Sequence, residues 1–296
     1  MRGGNITLID YALLAPNSMG MVGLLLGSIG VFNTVSLMLF KLIGKDLIGL
    51  RDTARISIGK SEVVVKFGSE RVRLKFDPSN YVSKYNAFSE ASEHFVRGHY
   101  NVDVEGKTVV DIGASIGDTL VYFLKKGARR AYGFEPYPYA YGYARENVMA
   151  NGVEDRATLI NEACTGRRGW ITLDEKRKST VDDELIASKN GKRIRLCRLC
   201  DIVQRFGIHE GGILKIDAEQ SEYEIIIGSS AETLRKFDVI YVEYHNGYLN
   251  LEKKLRSAGF EVEHTGPAII YDAIAKRRFL YFGDIVAKKL PLRRTA

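Results

Sequence analysis

The sequence predicts an α/β fold organised on a mostly parallel sheet, and three stretches predict it. Val109 to Thr119, VVDIGASIGDT, is an apolar strand that ends in Asp111 and breaks through Gly113 and Gly117 into a helix. Ala131 to Pro136, AYGFEP, is a second short apolar strand, and its acid, Glu135, lies 24 residues beyond Asp111. Ile213 to Ile216 is apolar apart from Lys215, as a strand buried on both faces of a parallel sheet has to be.

The first stretch brings backbone close to a ligand, because two glycines at a strand-to-helix turn remove side chains where the chain must bend. A phosphate-binding P-loop would need Gly-Lys-Ser/Thr, whereas Gly117 is followed by Asp118 and Thr119. A dinucleotide loop would need GxGxxG, whereas this one reads GxxxG between two acids, which would repel a pyrophosphate. Those acids suit a ligand with an ammonium and a sulfonium, the methionine half of S-adenosyl-L-methionine (SAM). The GxxxG turn alone also reads as ordinary punctuation. Glu135 adds weight, since the acid ending the second strand stands beside the first strand's loop and accepts ribose hydroxyls. Between the two strands, Asp118 to Lys126 carries Leu120, Val121, Phe123 and Leu124 as the apolar stripe of a helix. The predicted cofactor set is Asp111, Gly113, Ala114, Ser115, Gly117, Asp118, Thr119, Glu135 and Pro136. Asn161 and Ala163 join it at the third strand's end, and Tyr100 as an aromatic cover.

VVDIGASIGDT, GFEPYP with RENVMANG after it, ILKIDAEQSEYEI and VIYVEYHNGY resemble, in order and spacing, the FkbM family of SAM-dependent methyltransferases. The resemblance covers roughly residues 90–290. Two positions depart from it: Ser115 stands where the family commonly has Asn, and Gln220 where KIDxEG has Gly. The resemblance implies a Rossmann-like, seven-stranded, mostly parallel methyltransferase sheet of order 3-2-1-4-5-7-6. It also implies O-methylation, commonly of sugars or other small hydroxylated metabolites.

A chain of 296 residues with 45% hydrophobic content can bury one large core. Its expected parts are an apolar helical extension (1–50), a small β-meander with a lead-in helix (51–105), the catalytic domain (106–290) and a basic tail (291–296). A net charge of +7 would suit an acidic partner, but Arg and Lys are spread along the chain, which favours a solvated basic surface. Nucleic acid is accordingly the lesser expectation, and a small-molecule or glycan substrate the greater. Cys164, Cys197 and Cys200 read as thiols: a lone CxxC lacks the four ligands of structural zinc.

Residues 11–40 carry no charged side chain. Residues 19–43 therefore admit two readings, a membrane span with the following basic residues on the cytoplasmic side, or a helix over Val31 to Ile43 docked on the core. The expected location is cytoplasmic, with membrane association open through that segment. Ala54 to Phe76 alternates as a meander, with Ile56, Ile58, Val63, Val65, Phe67, Val72, Leu74 and Phe76 on one face. Asn86 to Tyr100 reads as a helix or lid with Glu93, His94, Arg97, His99 and Tyr100 near the cofactor mouth. Tyr137 to Tyr143 begins a tyrosine-rich helix at the cofactor rim. The third strand is expected over Ala157 to Ala163, with added strands Trp170 to Leu173 and Lys192 to Leu199 around a charged insertion, Asp174 to Asn190. Val239 to Val242 is the fifth strand, followed by a helix (Leu249 to Gly259) and strands Phe260 to His264 and Leu280 to Lys288, the last two returning antiparallel.

Ligands of open α/β sheets sit beyond the carboxyl ends of the strands, where strand order reverses. There the fourth strand delivers Asp217 and Glu219, and the fifth Glu243 and His245. Methyl transfer to a hydroxyl needs a base or a metal, and in-line alignment. His245 is the natural base, mostly neutral at pH 7, with Asp217 or Glu243 to orient it. A satisfied strand-end histidine is the plain alternative. Lys215 is expected to pair with Glu219 or Asp217. The same cluster suits magnesium or manganese, though a divalent metal is not the default. No polar-Pro-Pro-aromatic run follows the fourth strand and no Cys follows a Pro, which disfavours amino-group and cytosine-C5 methylation. Two rivals stand beside O-methyl transfer: an RNA methyltransferase, and a non-catalytic SAM-binding, membrane-associated protein.

Overall fold

Every residue of β11 (Gly212–Ile216) is buried, as are all but the first of β5 (Thr108–Ile112), so the two apolar runs form the centre of a sheet covered on both faces. The computed structural model describes residues 46–48, 54–67, 69–177, 185–272 and 278–291. The expected N-terminal helix, the membrane reading of residues 19–43 and the tail beyond 291 lie outside the described residues. Among the described residues no helix is long and apolar enough to cross a membrane.

β5 pairs in parallel with β11 on one side and β6 (Arg130–Phe134) on the other, with β7 (Ala157–Ile160) beyond β6 and β12 (Phe237–Tyr244) beyond β11. The long last strand, β15 (Arg278–Lys289), runs antiparallel between β12 and β13 (Phe260–His264). The path β7-β6-β5-β11-β12-β15-β13 is the anticipated 3-2-1-4-5-7-6 order. One strand was not anticipated: β14 (Ala268–Asp272) pairs with the first half of β15, Ala268 opposite Phe282, while β15 from Gly283 onward pairs with β12.

α2 (Asp118–Lys125) and α3 (Pro138–Ala150) make the crossovers on either side of β6. α2 buries more than a single stripe, because the meander covers its outer side. That meander has four strands, β1 (Asp46–Ile48), β2 (Ala54–Ile58), β3 (Glu62–Phe67) and β4 (Glu70–Lys75). Val63, Val65, Val72 and Leu74 have no exposed surface and share one core with Leu120 and Phe123 of α2. α1 (Tyr81–Ala91) continues into a π-helical turn, Ser92–Arg97, which Gly98 stops in the left-handed conformation.

The RENVMANG stretch proves to be a fastener. Asn147 accepts from the Lys75 N–H at 2.6 Å and donates to the Ile116 carbonyl at 2.9 Å, tying β4 to the glycine loop. Asn151 accepts from the Arg73 N–H at 2.9 Å and donates to the Arg73 carbonyl at 2.7 Å. Two side-chain amides thus stand in for the neighbouring strand that the edge of β4 lacks.

The third strand departs from expectation, because the chain breaks at Asn161. β7 stays in the main sheet, whereas β8 (Glu162–Cys164) turns into a separate sheet of order β8-β10-β9, with β9 (Gly169–Leu173) and β10 (Lys192–Cys197). Cys197 lies on a strand as expected. Cys200, expected just before the next helix, lies inside it, in α4 (Leu199–Arg205). Three helices complete the described chain: α5 (Glu222–Gly228), α6 (Ala231–Leu234) and α7 (Leu249–Ser257).

Candidate functional site

The glycine loop is shaped by two close approaches. A Cβ on Gly113 would stand 1.7 Å from the Asp217 carbonyl oxygen, so the loops after β5 and β11 touch only because residue 113 has no side chain. Gly117 has φ +81, and a Cβ there would stand 3.0–3.2 Å from Ala144 of α3. Between them Ser115 also takes a positive φ, 45°, in the region where an L-residue other than Asn or Asp is strained. Its N–H donates to Glu135 Oε2 at 3.0 Å, and the Tyr137 N–H donates to Glu135 Oε1 at 2.8 Å. Glu135 therefore binds the first loop to the second with one carboxylate. Burial pushes its pKa up to about 8, against the pull of those two backbone donors.

Behind the loop, Thr119 donates to Asp111 Oδ2, and Lys215 Nζ stands 3.2 Å from Asp111 Oδ1. The same ammonium donates to the Gly113 carbonyl at 2.7 Å and lies 3.7 Å from Asp217 Oδ2. Burial works against a charge on Lys215, but Asp111, Asp217 and Asp118 outweigh it and hold the group above its ordinary pKa. The expected partner Asp217 is thus the weaker one, and Glu219 is elsewhere. Parallel pairing explains this, since it sets Lys215 directly opposite Asp111.

The lead-in segment roofs the loop. His94 is 4% exposed, and its Nε2 lies 2.9 Å from Asp118 Oδ2 and 3.0 Å from Glu90 Oε2. Burial depresses its pKa, yet the two carboxylates win and push it up to about 10. Tyr100 is buried with its ring 5.1 Å from those of His94 and Tyr241. His99 spans from Glu93 at 3.3 Å to Asp284 of β15 at 3.5 Å.

At the ends of β11 and β12, His245 Nε2 has Glu219 Oε2 at 3.2 Å, Glu243 Oε1 at 3.8 Å and Asp217 Oδ1 at 3.9 Å. Its other ring nitrogen meets Glu222 Oε1 at 3.1 Å, and the His245 backbone N–H donates to that same oxygen at 3.1 Å. Two expectations are corrected here. Glu222, not Asp217 or Glu243, orients the imidazole. Nor is the ring set to be neutral: burial lowers its pKa, but the Glu222 bond and the charges of Glu219, Glu222 and Glu243 hold it well above the ordinary value. Glu243, although 41% of its side chain is exposed, is itself raised above its ordinary value by loss of solvation and by Asp217. The chain turns between these groups through Glu219 (φ 44) and Gln220 (φ 83), so Gln220 adopts the left-handed backbone that its glycine counterpart in KIDxEG would favour.

These groups surround a cavity of about 290 Å³. Of the sequence-predicted residues, Tyr100, Gly113, Ser115, Asp118, Thr119, Glu135, Pro136, Ala163, Asp217 and Glu243 line it. Asp111, Ala114, Gly117, Asn161 and His245 stand behind its wall. Asp111 shapes the loop through Thr119 and Lys215, and Asn161 donates to the carbonyls of Glu135 and Pro136 at 2.8 and 2.9 Å. Glu90, Glu222 and Asp284 were missed. Only Glu222 left a trace in the sequence: it falls on the helical stripe of Ile225 and Ile226, where a carboxylate is out of place unless it has a buried partner.

The wall has more acceptors than donors. Asp118, Asp217, Glu135 and Glu243 face the cavity, and of its two buried cations Lys215 is already engaged by Asp111 and Gly113, and His94 by Glu90 and Asp118. Such a wall fits a ligand with a ribose diol, an ammonium and a sulfonium and is poorly matched to a pyrophosphate. SAM would be held by Glu135 at its ribose and by Asp118 and Asp217 at its charged end. Among the described residues two side-chain groups have metal-ligand spacing: Glu90, His94 and Asp118, and Asp217, Glu243 and His245, the candidate ligand atoms of each lying within 4.8 Å of one another.

A family model described as the methyltransferase FkbM domain matches residues 111–262. The ribosomal protein L11 methyltransferase of Pectobacterium atrosepticum is 41% identical over 120 residues, which are 40% of this chain and 37% of that protein. Its counterpart from an Enterobacter species is 43% identical over 58 residues, 20% of each chain. The chain thus spans less than two thirds of the relatives it matches. Similar solved structures include precorrin-6y C5,15-methyltransferase from Geobacter metallireducens, at 14% identity and TM-score 0.38, covering 69% of this chain and 89% of that one. M. capricolum TrmK in complex with S-adenosyl-homocysteine is similar at 14% identity and TM-score 0.38, covering 62% and 63%.

Proposed function

The chain belongs to the FkbM methyltransferase family, and on that premise we propose that it is a SAM-dependent O-methyltransferase acting on a hydroxyl of a sugar, a glycan or another small metabolite. The observation that carries the reading is a cavity with two unlike ends. One is the glycine loop braced by Glu135, and the other is the pair of strand-end carboxylates Asp217 and Glu243, with His245 behind them.

SAM supplies an electrophilic methyl group when bound. The chain's own residues do the rest. Glu135 accepts from ribose hydroxyls, and Asp118 and Asp217 offset the positive charges. Tyr100, packed between His94 and Tyr241, keeps water from the loop. His245, held by Glu222 behind the wall, positions the strand-end carboxylates Glu219, Glu243 and Asp217 that surround its Nε2. Glu243, whose carboxylate lines the cavity beside Asp217, takes the hydroxyl proton as the oxygen attacks. This reading moves the base from the imidazole to its carboxylate neighbour and leaves His245 as a positioning residue.

The test is transfer of labelled methyl from SAM to carbohydrate, small-metabolite and RNA fractions. Label in the hydroxylated small molecules supports the reading. Label in RNA, with binding that weakens steeply as salt rises, supports an RNA methyltransferase instead. SAM binding with no label transferred to any fraction points to a non-catalytic SAM-binding protein.

A further inference from the structure

The strand-end group has the build of a cation site. Three carboxylates from two strands approach one imidazole nitrogen, at 3.2, 3.8 and 3.9 Å. A single ring N–H can serve one of them, and the nearest ammonium, Lys215, is held by Asp111 and the Gly113 carbonyl. Divalent magnesium or manganese binds oxygen ligands at about 2.1 Å, so ligand atoms roughly 3–4 Å apart are edges of one coordination shell. Carboxylates with an imidazole are a donor set such ions accept.

A second observation comes from the far side of the ring. His245 is more than nine-tenths buried, and its Nδ1 is held at 3.1 Å by Glu222, which has no exposed surface. The other Glu222 oxygen is buried without a hydrogen-bond partner. A carboxylate so placed is costly unless the imidazole it grips carries positive charge, supplied by a proton or by a metal on Nε2. A buried carboxylate on the outer nitrogen of a metal-binding histidine is how such ligands are aimed.

We propose that Asp217, Glu243 and His245, with Glu219 as a further oxygen donor, bind a divalent cation that grips two neighbouring hydroxyls of the acceptor. The proposal rests on the O-methyl-transfer reading for its acceptor, though not for the ion. The reaction balances without an external oxidant or reductant. The hydroxyl oxygen forms a bond to the methyl carbon, the carbon–sulfur bond breaks to leave a neutral thioether, and the proton passes to a carboxylate and on to solvent. The acceptor class is a neutral compound with vicinal hydroxyls, because a phosphorylated one would face the cavity's carboxylates.

The experiment is titration of the chelator-treated full chain with Mn²⁺ alone, followed by electron paramagnetic resonance. One bound ion per chain is expected. Asp217→Asn and His245→Gln should each weaken it at least tenfold, and Glu222→Gln about 10–100-fold through its hold on the ring. The far-UV circular dichroism spectrum and thermal midpoint check that each variant is folded, since Asp217 also faces the SAM end of the cavity. No Mn²⁺ uptake by SAM-binding protein overturns the proposal, as does uptake lost in His94→Gln but unchanged in Asp217→Asn. Methyl transfer to a hydroxyl that persists in excess chelator overturns the ion and spares the enzyme reading. Mn²⁺ bound as expected without any hydroxyl methylation does the reverse.

Discussion

Lys215 and Asp111 stand directly opposite each other on adjacent parallel strands, their charged atoms 3.2 Å apart and both side chains all but removed from solvent. The pair fixes both cofactor-side loops, because the same ammonium donates to the Gly113 carbonyl. Lys215→Met leaves a buried carboxylate without its partner and should cost about 3–5 kcal/mol. Adding Asp111→Asn should restore part of that, since both charges are then gone. Urea denaturation of the two single variants and the double variant checks this. A double variant that loses as much as Lys215→Met and Asp111→Asn summed would show that the two charges are not coupled.

Gly113→Ala should abolish SAM binding, because its Cβ would collide with the Asp217 carbonyl at 1.7 Å. Gln220→Gly should act in the other direction. At φ 83 a non-glycine residue is strained by about 1–2 kcal/mol, so removing the side chain should raise stability by up to about 1 kcal/mol once the extra freedom of the unfolded chain is subtracted. Denaturant midpoints for Gln220→Gly and SAM calorimetry for Gly113→Ala read the two effects separately.

Asn147→Ala should cost about 1–3 kcal/mol, since it strands the Lys75 N–H and the Ile116 carbonyl together. Asn151→Ala should cost less, its partners being closer to solvent. Thermal unfolding distinguishes them, and equal, negligible shifts would show that β4 needs no such fastening.

Glu135 makes the cofactor site sensitive to pH. Its folded pKa of about 8 lies above the ordinary 4.5. The stability it contributes is therefore full below about 4.5 and is lost as pH rises through 8. Ribose hydroxyls donating to the carboxylate favour its ionised form. SAM binding should then release a proton near neutral pH and tighten as pH rises towards 8. Binding heats measured in buffers of different ionisation enthalpy report the proton, and heats that do not vary with buffer would remove Glu135 from the ribose site.

Sequence reasoning reached the sheet order and the glycine-loop side of the cavity wall, because apolar runs and glycine turns are local signals. VVDIGASIGDT and AYGFEP carry their own strand ends, and strand ends decide where ligands sit. What it could not reach depends on register and on packing between distant segments. The Lys215–Asp111 pairing follows from alignment of two strands about a hundred residues apart in sequence. Glu222 holds His245 from a helix that no spacing rule ties to β12. Asn161 looked like a ligand contact, yet it spends both amide hydrogens on the turn after β6. The split of the third strand at that residue was likewise invisible, since ATLINEA reads as one run.

Isothermal calorimetry of the folded full chain with SAM and with S-adenosyl-homocysteine tests the account most directly. One molecule of either should bind per chain, and Glu135→Ala should weaken binding roughly 10–100-fold, as loss of a charged hydrogen bond does. A folded chain that takes up neither compound, or a Glu135→Ala variant that binds as tightly as the native chain, would contradict it.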